Sequence, residues 1–154
     1  MLENCKSAQE RWGGVHDIVD RWLKERQELL VQYYDLTQAL DAGPDDESGH
    51  DIQALCQILV DYVSAGHFEV YGQLLKEARD FNDEAGLEKG KALFKEVEKT
   101  TDFCLDFNDK YQATDDLDDI MRDLSTLGEM LANRFEWEDQ MIEVLHNAHA
   151  DQLA

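Results

Sequence analysis

Few residues of this chain have the types and spacing that catalysis or metal binding needs. One Glu-x-x-His occurs, Glu143 to His146, and His149 follows it. Di-iron centres in helical bundles use that motif on each of two helices, plus a further Glu from each of two others. A single copy leaves the set incomplete, so no metal site is expected. Nucleophilic catalysis needs a placed Ser or Cys, a base and an orienting group. No GxSxG occurs, and no GxxxxGK[ST] or GxGxxG phosphate loop is present. Cys5, Cys56 and Cys104 are odd in number and widely spaced, without a CxxC pair. That argues against a disulfide framework and a zinc site. Cys56 and Cys104 fall on apolar stripes and are expected to be reduced core residues. The expectation is a protein with no catalytic residue and no cofactor.

Polar residues that interrupt apolar stripes carry more information. At about 100° per residue, Arg134 and Glu138 fall on an apolar helix face with Leu127, Leu131 and Leu145. Arg26 falls between Trp22 and Tyr33 on another, and His67 sits at the edge of a third. Unpaired charges inside a core are very costly, so these four are expected to meet in a hydrogen-bonded network. Such a network either fixes helix register or forms a ligand or sensing pocket. A second face, about 120° from the Leu59 stripe, collects Asp61, Ser64, Phe68, Tyr71 and Leu75. It either packs on a neighbouring helix or forms a partner groove with aromatic anchors and a charged rim.

Four helical segments must position these groups. The first spans about residues 6–40, with Val15, Val19, Trp22, Leu29, Tyr33, Leu36 and Leu40 at three- and four-residue steps. Gly13-Gly14 is a place for a kink, and Ala42-Gly43-Pro44 ends the segment. The second spans about 51–81, capped by Asp51, with Ile52, Leu55, Cys56, Leu59, Val63, Val70 and Leu74 as its stripe. Gly66 in mid-helix costs about 1 kcal/mol against Ala, so a close neighbour is expected there. The third spans about 87–111. The fourth starts at a weak Thr114 capping box, with Asp115, Asp116, Asp118 and Asp119 in its first turn. Long amphipathic helices with short connections predict an all-α, antiparallel four-helix bundle, one domain over residues 1–154. One Pro and nine Gly fit helices better than strands and turns.

The charge balance narrows the partners. With 14 Lys and Arg against 35 Asp and Glu, the net charge is −21. Nucleic acid and anionic membranes repel such a surface, whereas cations and basic proteins are attracted. The acid is unevenly spread: residues 114–154 carry 11 acids and 2 bases, and residues 41–51 carry 5 acids and no base. That unevenness favours a functional acidic face over general solubility. No stretch of 18 apolar residues and no signal peptide is visible, so the expected compartment is the cytoplasm.

Three runs resemble the Rsd/AlgQ family of regulators of the primary sigma factor. They are Asp20-Arg21-Trp22-Leu23 with Arg26, Leu29-Leu30-Val31 and Tyr33-Tyr34; Leu59-Val60-Asp61-Tyr62-Val63-Ser64-Ala65-Gly66-His67-Phe68 with Tyr71; and Arg134-Phe135 with Glu138-Asp139. The resemblance covers nearly the whole chain, and Glu10-Arg11-Trp12-Gly13-Gly14-Val15-His16 is closer to the AlgQ branch. Residues 41–49 and the third segment match poorly. The resemblance implies a helical bundle and anti-sigma activity, notably when growth stops. Its partner would be the C-terminal region of the primary sigma factor, whose helix-turn-helix reads the promoter −35 element and also contacts core polymerase. Asp61, Ser64, Phe68 and Tyr71 are then candidates to bind sigma, with Asp20, Arg21 and Lys24 on the outer surface of the first helix as the next place to look. The expected protein is a monomer that touches neither nucleic acid nor membrane itself. The alternative is a bundle that binds a small ligand or metal through its polar interior.

Overall fold

A computed structural model describes residues 8–113 and 116–153, and every regular element among them is helical. Helix α1 spans Ala8–Asp41 and α2 spans Ser48–Ala65. A π-helical turn, Gly66–Val70, leads directly into α3 (Tyr71–Asp80). Helix α4 (Glu84–Tyr111), α5 (Ile120–Leu145) and a 3₁₀ segment, Asn147–Leu153, complete the order. No described helix is long and apolar enough to cross a membrane.

Gly13-Gly14 does not break α1, which stays helical from end to end. Its expected start at Lys6 lies outside the described residues. Val15, Val19, Trp22, Leu29, Leu36 and Leu40 are buried, as the spacing predicts. They share one buried core with Leu55, Leu59, Val97 and Leu127, which are all fully inaccessible. Helices α4 and α5 run in opposite directions, since Thr100 meets Arg134 and Lys110 meets Asp123. Helices α1 and α5 do too, with Trp12 bonded to His146 and Tyr33 to Leu124. Cys56 and Cys104 are buried free thiols, and desolvation first of all pushes each pKa up to about 11. Such thiols stay protonated and unreactive at neutral pH.

The boundaries differ from expectation where side chains build local turns. Helix α2 starts three residues before Asp51 because the Asp45 N–H donates to Ser48 Oγ at 2.9 Å and closes the preceding turn. Asp51 therefore lies inside the first turn rather than capping it. Helix α4 starts at Glu84 rather than Leu87. Asn82 takes φ 56°, and Asp83 then caps by accepting from the Gly86 N–H at 2.9 Å. Helix α5 starts at Ile120, several residues after Thr114. Thr114 and Asp115 lie outside the described residues. Asp116 instead accepts from the Asp118 N–H at 3.1 Å, and the Ile120 N–H bonds back to Leu117 O, a turn that delays the helix.

The second segment holds the departure that matters most. At Gly66 the ladder slips by one residue, and the Tyr71 N–H donates to Gly66 O, five residues back rather than four. One extra residue rotates everything after it by about 100° relative to an unbroken α-helix. The expected close neighbour of Gly66 is Tyr71 itself: a Cβ on Gly66 would lie 2.8 Å from the Tyr71 hydroxyl oxygen. Gly66→Ala is therefore expected to destabilise the fold by a net of about 1–2 kcal/mol, overpacking outweighing the helix propensity gained. Urea denaturation measures this, and a Tyr71→Phe background should remove only part of the loss, because the ring carbon Cζ would still lie 2.9 Å from that Cβ. Equal losses in both backgrounds would show that the hydroxyl is not the obstacle.

Candidate functional site

The polar residues expected inside the molecule assemble around Glu138, which lies at 0% exposure. Its Oε2 accepts from the Tyr71 hydroxyl at 2.6 Å, and its Oε1 accepts from the Tyr62 hydroxyl. Arg134, also fully buried, places Nε 3.3 Å from Oε2. Arg134 Nη2 donates to Tyr71 Oη at 2.9 Å, and its Nη1 donates to Thr100 Oγ1 at 3.0 Å and Thr101 Oγ1 at 2.9 Å. Arg26 reaches in from α1, with Nη1 3.6 Å from Glu138 Oε1 and Nη2 2.7 Å from Asp139 Oδ1. Burial pushes the Glu138 carboxyl up, and Arg134 and the two tyrosines oppose it without cancelling it. Burial, and then Glu138, push both tyrosine hydroxyls upward, so they remain donors.

His67 does not join this cluster. The slipped turn leaves it exposed, its ring 4.9 Å from that of Phe68 and 6.3 Å from that of Phe94. The same rotation corrects Tyr71, expected on the partner face, which is 2% exposed and hydrogen-bonds Glu138. Tyr62 supplies the further hydroxyl that the stripes did not single out. A ligand entering this interior would have to displace Tyr62 or Tyr71 from the carboxylate.

What remains outside is Asp61, exposed, Ser64, half-buried, and Phe68, which is 85% exposed. Phe68 projects from the π turn. Asp61 accepts a hydrogen bond from Gln57 Nε2 at 3.0 Å. Asp20 and Arg21 are exposed on α1. The seam between α1 and α2 is an open groove, with Glu25, Glu28 and Gln32 on one side and Gln57 and Asp61 on the other. It continues past Arg21 to Glu69, the neighbour of Phe68 in the π turn. Glu25 belongs to the site and was not singled out from the sequence. Its Oε2 is buried without a hydrogen-bond partner among the described residues. Burial, then the carboxylates of Asp61, Glu28 and Glu69, push its pKa up. An incoming cation would relieve both penalties.

Glu143 does not reach towards the histidines that follow it. It is exposed and accepts from Asn147 Nδ2 at 3.0 Å, whereas His146 and His149 both turn to Glu77. Among the described residues no group of three or more His, Cys, Asp or Glu side chains could hold a metal ion. The sequence signal for Glu77 was available, since it continues the core face of Val70 and Leu74.

Glu138→Ala is expected to destabilise the fold by about 3–5 kcal/mol, because it strands Arg134 at 0% exposure. Tyr62→Phe and Tyr71→Phe, which each remove one donor to a charged acceptor, should cost about 1.5–3 kcal/mol. Thermal or urea unfolding measures all three. A Glu138→Ala protein of unchanged stability would remove this cluster from the account of the fold.

The profile of the family described as "Regulator of RNA polymerase sigma(70) subunit, Rsd/AlgQ" matches residues 1–146. The chain is 36% identical over 149 residues to the "Regulator of sigma D" of Enterobacter sp. (strain 638), covering 92% of this chain and 88% of that protein. It is 34% identical to the protein of the same name from Pectobacterium carotovorum subsp. carotovorum (strain PC1), covering 96% and 99%. The "Regulator of sigma D" of Salmonella typhi is also 34% identical, covering 98% and 95%. No solved structure gives a significant match. With a family profile running from residue 1 through the last turn of α5, and relatives aligned along almost their whole length, the chain belongs to the Rsd/AlgQ family of regulators of the RNA polymerase sigma(70) subunit.

Proposed function

We propose that this protein is an anti-sigma factor, which binds the C-terminal region of the primary sigma factor and withholds it from core polymerase and promoter. Alternative sigma factors gain by its action, notably when growth stops. The observation that carries the reading is Phe68, 85% exposed on the π turn, whose next residue, Glu69, lines the acidic α1/α2 groove. Aromatic anchors within a polar rim dominate protein interfaces, and π turns recur at functional sites. A helix-turn-helix presents Arg and Lys to DNA phosphates. Asp61, Glu25, Glu28 and Glu69 offer carboxylates to the same cations. Ser64 completes this face, Tyr71 supports it from beneath, and Asp20 and Arg21 border it on α1.

In this reading the chain is a single domain over residues 1–154, an antiparallel four-helix bundle acting as a monomer in the cytoplasm. It acts without catalysis, and it touches neither nucleic acid nor membrane itself.

Titration of the full chain against the isolated C-terminal region of sigma tests the proposal. Phe68→Ala should weaken binding by at least about 2 kcal/mol, roughly thirtyfold, with little change in melting temperature because the ring is exposed. Asp61→Ala should cost about 1–3 kcal/mol of binding if its pair is desolvated in the complex. Glu25→Gln should leave the free protein as stable or more so while weakening the complex, since its Oε2 has no hydrogen-bond partner among the described residues and three neighbouring carboxylates outweigh Arg21. Full binding by a folded Phe68→Ala protein would exclude this face. Binding should also weaken as ionic strength rises, because rim charges are screened within about 8 Å at physiological salt. Affinity independent of salt would leave apolar contact as the driver and sink the electrostatic half of the proposal.

A further inference from the structure

The proposed function makes no use of the buried histidines near the C-terminus, and their geometry is the most constrained polar arrangement outside the Glu138 cluster. Glu77 on α3, His146 at the end of α5 and His149 in the 3₁₀ segment are each no more than 2% exposed. Both oxygens of Glu77 are taken by histidine nitrogens: Oε1 lies 2.7 Å from His146 Nδ1, and Oε2 lies 2.9 Å from His149 Nδ1. The other nitrogen of His149, Nε2, lies 2.8 Å from Asp83 Oδ2. The other nitrogen of His146, Nε2, lies 3.1 Å from His16 Nδ1 on α1, and Asp20 stands 3.6 Å beyond His16 Nε2. Rings seal the chain: Trp12 stacks on His16 and His146, and Phe81 stacks on His149 at 4.7 Å. Arg11, paired with Asp80 at 3.0 Å, and Lys76 line the recess beside Glu77.

Counting protons along this chain fixes what His149 must carry. An ionised carboxylate only accepts, and a neutral imidazole has one N–H. His149 faces a carboxylate oxygen at each nitrogen, so with Glu77 and Asp83 ionised it must carry both protons. A neutral His149 would aim a lone pair at a carboxylate from within a buried site. His146 donates its Nδ1 proton to Glu77, and one further proton lies between His146 Nε2 and His16 Nδ1.

We infer that the Glu77–His149–Asp83 chain, continued through His146 to His16, is a proton-gated latch. With His149 as imidazolium it clamps the segment Asn147–Leu153 onto α3 and the α3–α4 turn. Loss of that proton to solvent, as the pH rises through the His149 midpoint, releases the segment. Two directions of shift agree with the geometry. Burial lowers the His149 pKa, but the hydrogen bonds to Glu77 and Asp83 outweigh it and leave a net rise above 6.5. The Gly86 N–H first, and His149 second, hold Asp83 below its usual range. A folded-state pKa raised above the released-state value gives stabilisation that is complete below the latter and lost as pH climbs through the former. The carboxylates set the acid limit, because Asp83 withdraws its contribution as pH falls through its own lowered value.

The test is nuclear magnetic resonance on the intact protein between about pH 6 and about pH 9. Ring nitrogen shifts should show both nitrogens of His149 protonated at the acid end of this range, with a midpoint above 6.5. Amide protection in Asn147–Leu153, corrected for intrinsic exchange, should fall by up to tenfold per pH unit between the released and latched midpoints. Glu77→Gln should move the His149 midpoint down, and His149→Gln should give low protection that no longer depends on pH. A His149 midpoint at or below 6.5, or protection flat to the alkaline end, overturns the latch. So does a folded Glu77→Gln protein with an unmoved midpoint. If that variant does not fold, the wild-type titration decides alone.

Discussion

A carboxylate at zero exposure is the constraint around which this molecule is arranged. Glu138 sits where desolvation opposes its charge, and an unanswered ion there would cost several kcal/mol. The answer comes from every long helical segment. Tyr62 and Tyr71 donate from the second, Arg134 lies one turn away on α5, and Arg26 reaches in from α1. Helix α4 contributes Thr100 and Thr101, which accept from the guanidinium that faces the carboxylate. Each partner has one acceptable position, so the network sets the register of helices that apolar packing alone would let slide.

The π turn follows from the same constraint. Tyr62 and Tyr71 are nine residues apart, which on an unbroken α-helix separates them by about 180°. Both hydroxyls can reach one carboxylate only if the intervening ladder takes an extra residue, and Gly66 is where it does so. Gly66 has no Cβ to occupy the space of the Tyr71 hydroxyl. The rotation that brings Tyr71 inward leaves His67 and Phe68 outward. The interior network and the exposed aromatic are therefore two consequences of one slipped residue.

Electrostatics divides the molecule in a similar way. Charges at Glu138, Arg134, Arg26 and Asp139 offset one another in the interior and along its edge. Along the α1/α2 seam they do not: Glu25 is crowded by Asp61, Glu28 and Glu69, with Arg21 the opposing charge. Like charges held together in a free protein cost stability and gain meaning when a cationic partner relieves them.

The helices, most of the stripes and the meeting of Arg26, Arg134 and Glu138 were legible in the sequence, because period and burial cost are local properties of a chain. Its three characteristic runs also carried the family. Helix ends were less legible: Ser48 closing its own turn and Asp83 capping α4 depend on side-chain geometry that composition does not encode. That Tyr71 is inside and His67 outside follows from the folded packing and not from the pattern of residues. A one-residue slip adds no residue type that betrays it, and its driving force is a carboxylate more than sixty positions away. The same holds for Glu77 with His146 and His149. Each is an ordinary residue on its own helix, and their proton chemistry exists only because folding brings both histidines to one carboxylate.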